Sequence, residues 1–264
     1  MSMRLSARAA LFAILGVLGL LSLIGQAALA DEVNVAVAAN FSGPLEKLAT
    51  PFEQASGHKL RISAGSSGQL STQISQGAPF DVFLSADSDK PRLLEAAGLG
   101  VAGSRFTYAI GTLALWSAKA GLVDAQGKVL KSGAYRYIGV ADPGNAPYGA
   151  AAQQVLGALG LWDTLNRDKK VILGENITQT WQFATTGNVD LAFVALSQII
   201  TADGSISGSH WLPPQSMYAP IEQDAVVLAH GSHRGAAEAF VSWLHHDPLA
   251  TAAIQAAGYR LAGP

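Results

Sequence analysis

No cysteine occurs among the 264 residues. Disulfides, thiolate metal sites, cysteine nucleophiles and a lipid-modified N-terminal cysteine are therefore all excluded. Charge is also scarce: 14% of residues are Asp, Glu, Lys or Arg, against 49% apolar. That ratio, with only 11 prolines, excludes a disordered chain or a low-complexity scaffold and predicts a packed globular protein. Beyond residue 30 no apolar run approaches the ~20 residues that a membrane-spanning helix needs.

The N-terminus differs from the rest. Arg4 and Arg8 precede an uncharged run over residues 9–24, and Ala28-Leu29-Ala30 supplies small residues of the kind an export peptidase cuts after. Residues 1–30 are expected to be a cleaved signal peptide, with the two arginines too far apart for the twin-arginine route. Cleavage would leave 15 Lys+Arg against 19 Asp+Glu, a net charge of −4, which disfavours a nucleic-acid surface.

Residues 33–38 (VNVAVA) form an apolar run without helical signals, followed by Leu45, Leu48, Ala49 and Phe52 at helical spacing. The alternation recurs at 59–63 then 69–76, and at 81–85 then 88–97. After an extended stretch at 106–117 (FTYAIGTLALWS) it resumes at 137–141, 150–159, 170–173, 179–185 and 190–194. Strands alternating with short helices predict an α/β fold with mainly parallel sheets and helices on both faces. The extended runs at 106–117 and 225–229 would cross between two lobes. Lobe one is expected over 31–110 plus 225–264, lobe two over 111–224, with Phe240, Trp243 and Leu244 on a closing helix.

Catalytic signatures are missing. Residues 98–103 (GLGVAG) match G-x-G-x-x-G, but they follow a helix instead of opening one. Gly121 to Lys128 lacks both the glycine spacing and the following Ser or Thr of a phosphate loop. No H-E-x-x-H or G-x-S-x-G occurs, the six histidines have no plausible carboxylate co-ligand, and Asp87 with Asp89 fits a helix start better than an acid/base pair.

Four polar or glycine-rich segments do share a context. Residues 39–42 (ANFS), 65–68 (GSSG), 145–149 (NAPYG) and 175–178 (ENIT) each lie between a predicted strand and a predicted helix. Unpaired N–H groups and the positive end of the helix dipole meet there, a setting for an anion. Ordinary capping by Asn40, Ser67 and Thr178 would account for the same residues. The sequons at Asn40 and Asn176 are read as coincidental.

At these segments the sequence resembles the periplasmic molybdate-binding proteins of ABC importers. VAVAANFSGPLEKLA, ISAGSSGQLSTQISQGAPFDVFLSAD, DPGNAPYGAAAQQVLGALGLWDTL and NVDLAFVALSQI follow that family's order and spacing across essentially the whole chain after residue 30. The resemblance implies a two-lobed type II periplasmic binding fold with the ligand cleft between lobes. It also implies a non-enzymatic, monomeric protein that captures molybdate or tungstate and passes it to a membrane permease, with no cofactor and molybdenum bound only as the oxyanion.

Carried over by position, Asn40 and Ser67 would donate from lobe one, and the backbone N–H groups of Tyr148 and Ile177 from lobe two. Ala39 is a further candidate contact. Two departures stand out. Many relatives have a hydroxyl residue where this chain has Ala39 and Asn40, so that contact would be amide-based, and Ala195 stands where many carry a ligand-binding tyrosine. The choice between molybdate and tungstate stays open, as do a different oxyanion such as sulfate and an exported enzyme on the same fold, for which Glu175 is the lone carboxylate in the four segments.

Overall fold

The computed structural model describes residues 31–201 and 203–263. The expected signal peptide lies outside the described residues. Among the described residues ten strands form two five-stranded sheets. The first comprises β1 (Glu32–Ala38), β2 (Lys59–Gly65), β3 (Val82–Leu84), β4 (Phe106–Gly111) and β10 (Ile221–Val227), in the order β2-β1-β3-β10-β4. The second comprises β5 (Leu113–Ser117), β6 (Ile138–Ala141), β7 (Val171–Gly174), β8 (Leu191–Ala195) and β9 (Ser209–Trp211), in the order β7-β6-β8-β5-β9.

Each sheet has a parallel core, β2-β1-β3 in one and β7-β6-β8 in the other, completed by antiparallel strands. The parallel strands are joined by helices, as right-handed crossovers require. Those that matter here are α1 (Ser42–Ser56), α2 (Ser67–Ser75), α3 (Asp89–Ala96), α4 (Val129–Ser132), α5 (Pro147–Ala158), α6 (Trp162–Arg167) and α7 (Ile177–Thr185). The C-terminal pair α8 (Arg234–His246) and α9 (Pro248–Ala256) returns to the first sheet.

Burial on both faces explains the near-continuous apolar strands. In β1, Val33, Val35 and Val37 join one core cluster while Ala36 joins another; in β8, Leu191, Phe193 and Ala195 face one cluster and Ala192 and Val194 the other. The stretch expected as one extended run over 106–117 is two strands in different sheets, separated at Thr112. That single step carries the chain from one lobe to the other, and the segment between Trp211 and Ile221 carries it back, so the run expected to cross at 225–229 instead begins inside the first sheet, as the end of β10.

Candidate functional site: a cavity of backbone donors between two lobes

The four polar segments sit at the carboxyl ends of β1, β2, β6 and β7, which are neighbouring strands within each sheet. Ligands in open α/β sheets bind at such strand ends. Here they converge on one small cavity, lined by Ala38, Ala39 and Asn40, by Gly65, Ser66 and Ser67, by Ala86, by Ala146, Pro147 and Tyr148, and by Asn176 and Ile177. The free space is small, about 10 Å³ for the centre of a water-sized molecule, far below the 300 to 1,000 Å³ or so of clefts that take larger organic ligands. No lining residue is charged.

Capping does not consume the donors. Ser66, not Ser67, caps α2 by accepting from Gln69 N–H, and Asn176, not Thr178, caps α7 by accepting from Thr178 and Gln179 N–H at 3.0 Å. The first-turn N–H groups of Ser67 and Ile177 have no intrahelical acceptor and are left at the cavity. In α5 the first residue is Pro147, which has no N–H, so Tyr148 supplies the leading donor. The short turn Ala39–Phe41 that precedes α1 places the main chain of Ala39 and Asn40 at the same point.

Ser67 is 1% exposed, and its Oγ accepts from Ala86 N–H at 2.9 Å. That contact uses one lone pair, and the O–H itself, which donates to no group among the described residues, is left for the cavity. The Asn40 side chain is turned to a different task. Its amide donates to Gln223 Oε1 at 2.8 Å and to Tyr259 Oη at 3.0 Å, which uses both N–H bonds, so the amide that Asn40 has left for the cavity is its main-chain N–H.

A buried polar network, not legible beforehand, backs the site. Gln223, fully buried, also donates from Nε2 to Tyr148 Oη at 3.2 Å, and Tyr108 Oη lies 3.1 Å from Gln223 Oε1 and 3.0 Å from the Ser85 carbonyl. Tyr259 donates to the Asn40 carbonyl at 2.7 Å. Burial, above all, holds the Tyr148 and Tyr108 hydroxyls protonated well above their ordinary range and pushes Tyr259 up to about 12, against hydrogen bonds from Ser197, Asn40 and Tyr148 that act the other way. These hydroxyls stay neutral beside the cavity. In the sequence it shows only as a polar triplet, Glu222-Gln223-Asp224, ahead of the apolar run that ends β10.

Ala195 is buried and does not line the cavity; its N–H donates to Gln198 Oε1 at 3.0 Å. Glu175 is exposed and lies outside the lining, its N–H bonded to Gln179 Oε1 at 2.7 Å. A wider cleft of about 300 Å³ adjoins the cavity, bordered by Asp87, Asp89, Lys90 and Glu222. Its three carboxylates against one lysine, itself paired with Asp87 at 2.7 Å, make it a poor place for an anion. Among the described residues no group of three His, Asp or Glu is placed to hold a metal ion.

The two-lobed sheets and a donor-lined cleft define a solute-binding protein, and the chain belongs to the bacterial extracellular solute-binding protein family, which matches residues 33–260. It has the two-domain periplasmic binding protein fold and is a binding protein, not an enzyme. The chain is 50% identical over 92% of its length to the molybdate-binding protein ModA of Azotobacter vinelandii, 94% of which is covered. It is 46% identical over 88% of its length to the ModA of Rhodobacter capsulatus, covering 89% of that chain. The structure of the Azotobacter vinelandii periplasmic molybdate-binding protein superposes with a TM-score of 0.86 at 48% identity, over 88% of this chain and all of the other.

Proposed function

We propose that this protein captures molybdate or tungstate between its lobes and delivers it to the membrane permease of an ABC importer. It would work as a periplasmic monomer after loss of residues 1–30. The lobes are assigned by sheet membership as residues 31–111 with 221–264, and 112–220, which moves the expected return from 225 to the start of β10. The ligand contacts are assigned to the main-chain N–H groups of Asn40, Ser67, Tyr148 and Ile177, the Ser67 hydroxyl, and the Ala39 main chain.

The observation that carries this reading is the convergence of four strand-to-helix junctions on one small, uncharged, donor-lined cavity. Backbone N–H groups at helix N-termini hold a dianion without a buried cation. The names of the relatives point to the same anion. A cavity of donors also selects by protonation: inorganic phosphate, still partly protonated at neutral pH, or a phosphate ester near its second pKa of about 6 brings a proton with no acceptor to meet it. Sulfate carries no proton, so it is separated by size. A smaller tetrahedron leaves some donors unpaired, at about 1 to 3 kcal/mol each.

Calorimetric titration of residues 31–264 with molybdate, tungstate, sulfate and phosphate tests the proposal. Tight 1:1 binding of the two larger oxyanions with weak sulfate and phosphate is expected. Equal affinity for sulfate overturns the size argument, and no binding at all overturns the assignment.

A further inference from the structure

Several hydrogen bonds cross between the lobes, and two of them end on the turn that lines the cavity. Thr178 Oγ1, in the first turn of α7, donates to the Ala39 carbonyl at 3.2 Å. Ser197 Oγ, just past β8, donates to the Asn40 carbonyl at 3.0 Å and lies 2.9 Å from Tyr259 Oη. Neither Thr178 nor Ser197 lines the cavity.

The direction of the Thr178 bond matters. In a trans peptide the C=O and N–H point opposite ways, so a donor fixing the Ala39 carbonyl also fixes the N–H of Asn40, a cavity residue. Gln198 Nε2 lies 3.4 Å from Thr178 Oγ1 and occupies its acceptor side, which leaves the Thr178 proton for Ala39. A hydrogen bond to the carbonyl further polarises the N–H of the same peptide.

We infer that Thr178 and Ser197 are positioning residues that join lobe closure to anion binding: from lobe two they hold the Ala39–Asn40 turn of lobe one in its anion-binding orientation without touching the anion. This deepens the reading given above and rests on it. Both bonds exist only while the lobes are together, so they act on opening. Removing them speeds release of the anion and leaves capture by the open form unchanged.

The test compares the wild type with Ser197→Ala, Thr178→Val and the double variant by stopped-flow molybdate kinetics. Dissociation is expected to rise roughly ten- to hundredfold in the double variant and less in each single one. The association rate and the melting temperature of the free protein should hold, and Ser197→Thr should restore slow release. An unchanged dissociation rate overturns the inference, as does a loss that falls on association. A melting temperature that drops in step with affinity also overturns it, since general destabilisation would then suffice.

Because the chain has no cysteine, spin labels at Gln73→Cys in α2 and Ala158→Cys in α5 report lobe separation. If the wild type binds no oxyanion, the proposed function fails by itself, and the labels decide the inference on the free protein. A close-lobe population that the double variant loses supports it, and identical distance distributions overturn it.

Discussion

Ser67 illustrates how one residue does two jobs. Its hydroxyl accepts the buried Ala86 N–H and is left to donate into the cavity. Ser67→Ala therefore removes a charge-assisted donor, and molybdate affinity should fall by about 1.5 to 3 kcal/mol, roughly 10- to 150-fold. It also strands the Ala86 N–H, so the melting temperature of the free protein should fall as well. Calorimetry and thermal melts on the same variant check both effects, and unchanged affinity would place the anion elsewhere. Asp190 makes a different residue-scale prediction. Hydrogen bonding from Lys119 at 2.7 Å, against the upward push of burial and helped by the Arg136 backbone at 2.8 Å, lowers its carboxyl to about 2. A lowered folded-state pKa gives stability that is complete above the unfolded value of about 4 and is lost as pH falls through 2. The stability difference between wild type and Asp190→Asn should shrink between pH 4 and 2. Urea melts at several pH values measure it; a difference constant across that window would mean the carboxylate charge is not what the lysine and arginine hold.

At the scale of elements, the position of α5 decides whether Tyr148 N–H reaches the cavity. Gly149 allows it: a Cβ there would run into the Ala141 carbonyl oxygen at the end of β6, so the helix can lie this close to the strand only without a side chain. Gly149→Ala should cost about 1 to 3 kcal/mol of stability and weaken anion binding. Gly157→Ala in the same helix meets open space and should stabilise by about 0.5 to 1 kcal/mol through helix propensity, with affinity unchanged. Equal effects of the two substitutions, by melting and calorimetry, would rule out the close approach as the cause. The strand-then-helix alternation was legible because each element carries its own period: VNVAVA became β1, and Leu45, Leu48 and Phe52 became the buried stripe of α1. The four junction segments were legible for the same reason. What stayed hidden was assembled over long separations. Asn40, Tyr108, Tyr148, Ser197, Gln223 and Tyr259 come from six separate stretches, and only the finished fold brings their polar atoms together. Likewise GAPFDVF looks like a specific motif, but its Asp81 works away from the cavity. Burial pushes that carboxyl up, and hydrogen bonds from Asn34 and His233 outweigh it, tying β1 and the start of α8 to β3. Which of two adjacent polar residues caps a helix was also beyond the sequence, because Ser66 against Ser67 depends on backbone angles at the end of β2.

For the whole molecule, local dipoles and net charge act on the anion at different distances. Residues 31–264 carry 15 Lys+Arg and 19 Asp+Glu, a net charge of −4, so an approaching dianion is repelled until it comes within reach of the N–H groups. Repulsion between separated charges fades with salt, over a screening length of about 10 Å at 0.1 M. Once the lobes have closed, the anion lies among fixed dipoles away from mobile ions, and screening has little left to act on. Raising salt from about 10 mM to 0.5 M should therefore speed molybdate association while leaving dissociation nearly constant, so that affinity improves with ionic strength. Chloride is the appropriate counterion, since sulfate would compete for the site. Stopped-flow kinetics over that range give both rates. If association slows instead, a local positive patch outweighs the net charge; if dissociation changes as much as association, the bound anion is still in contact with solvent and the lobes do not seal it.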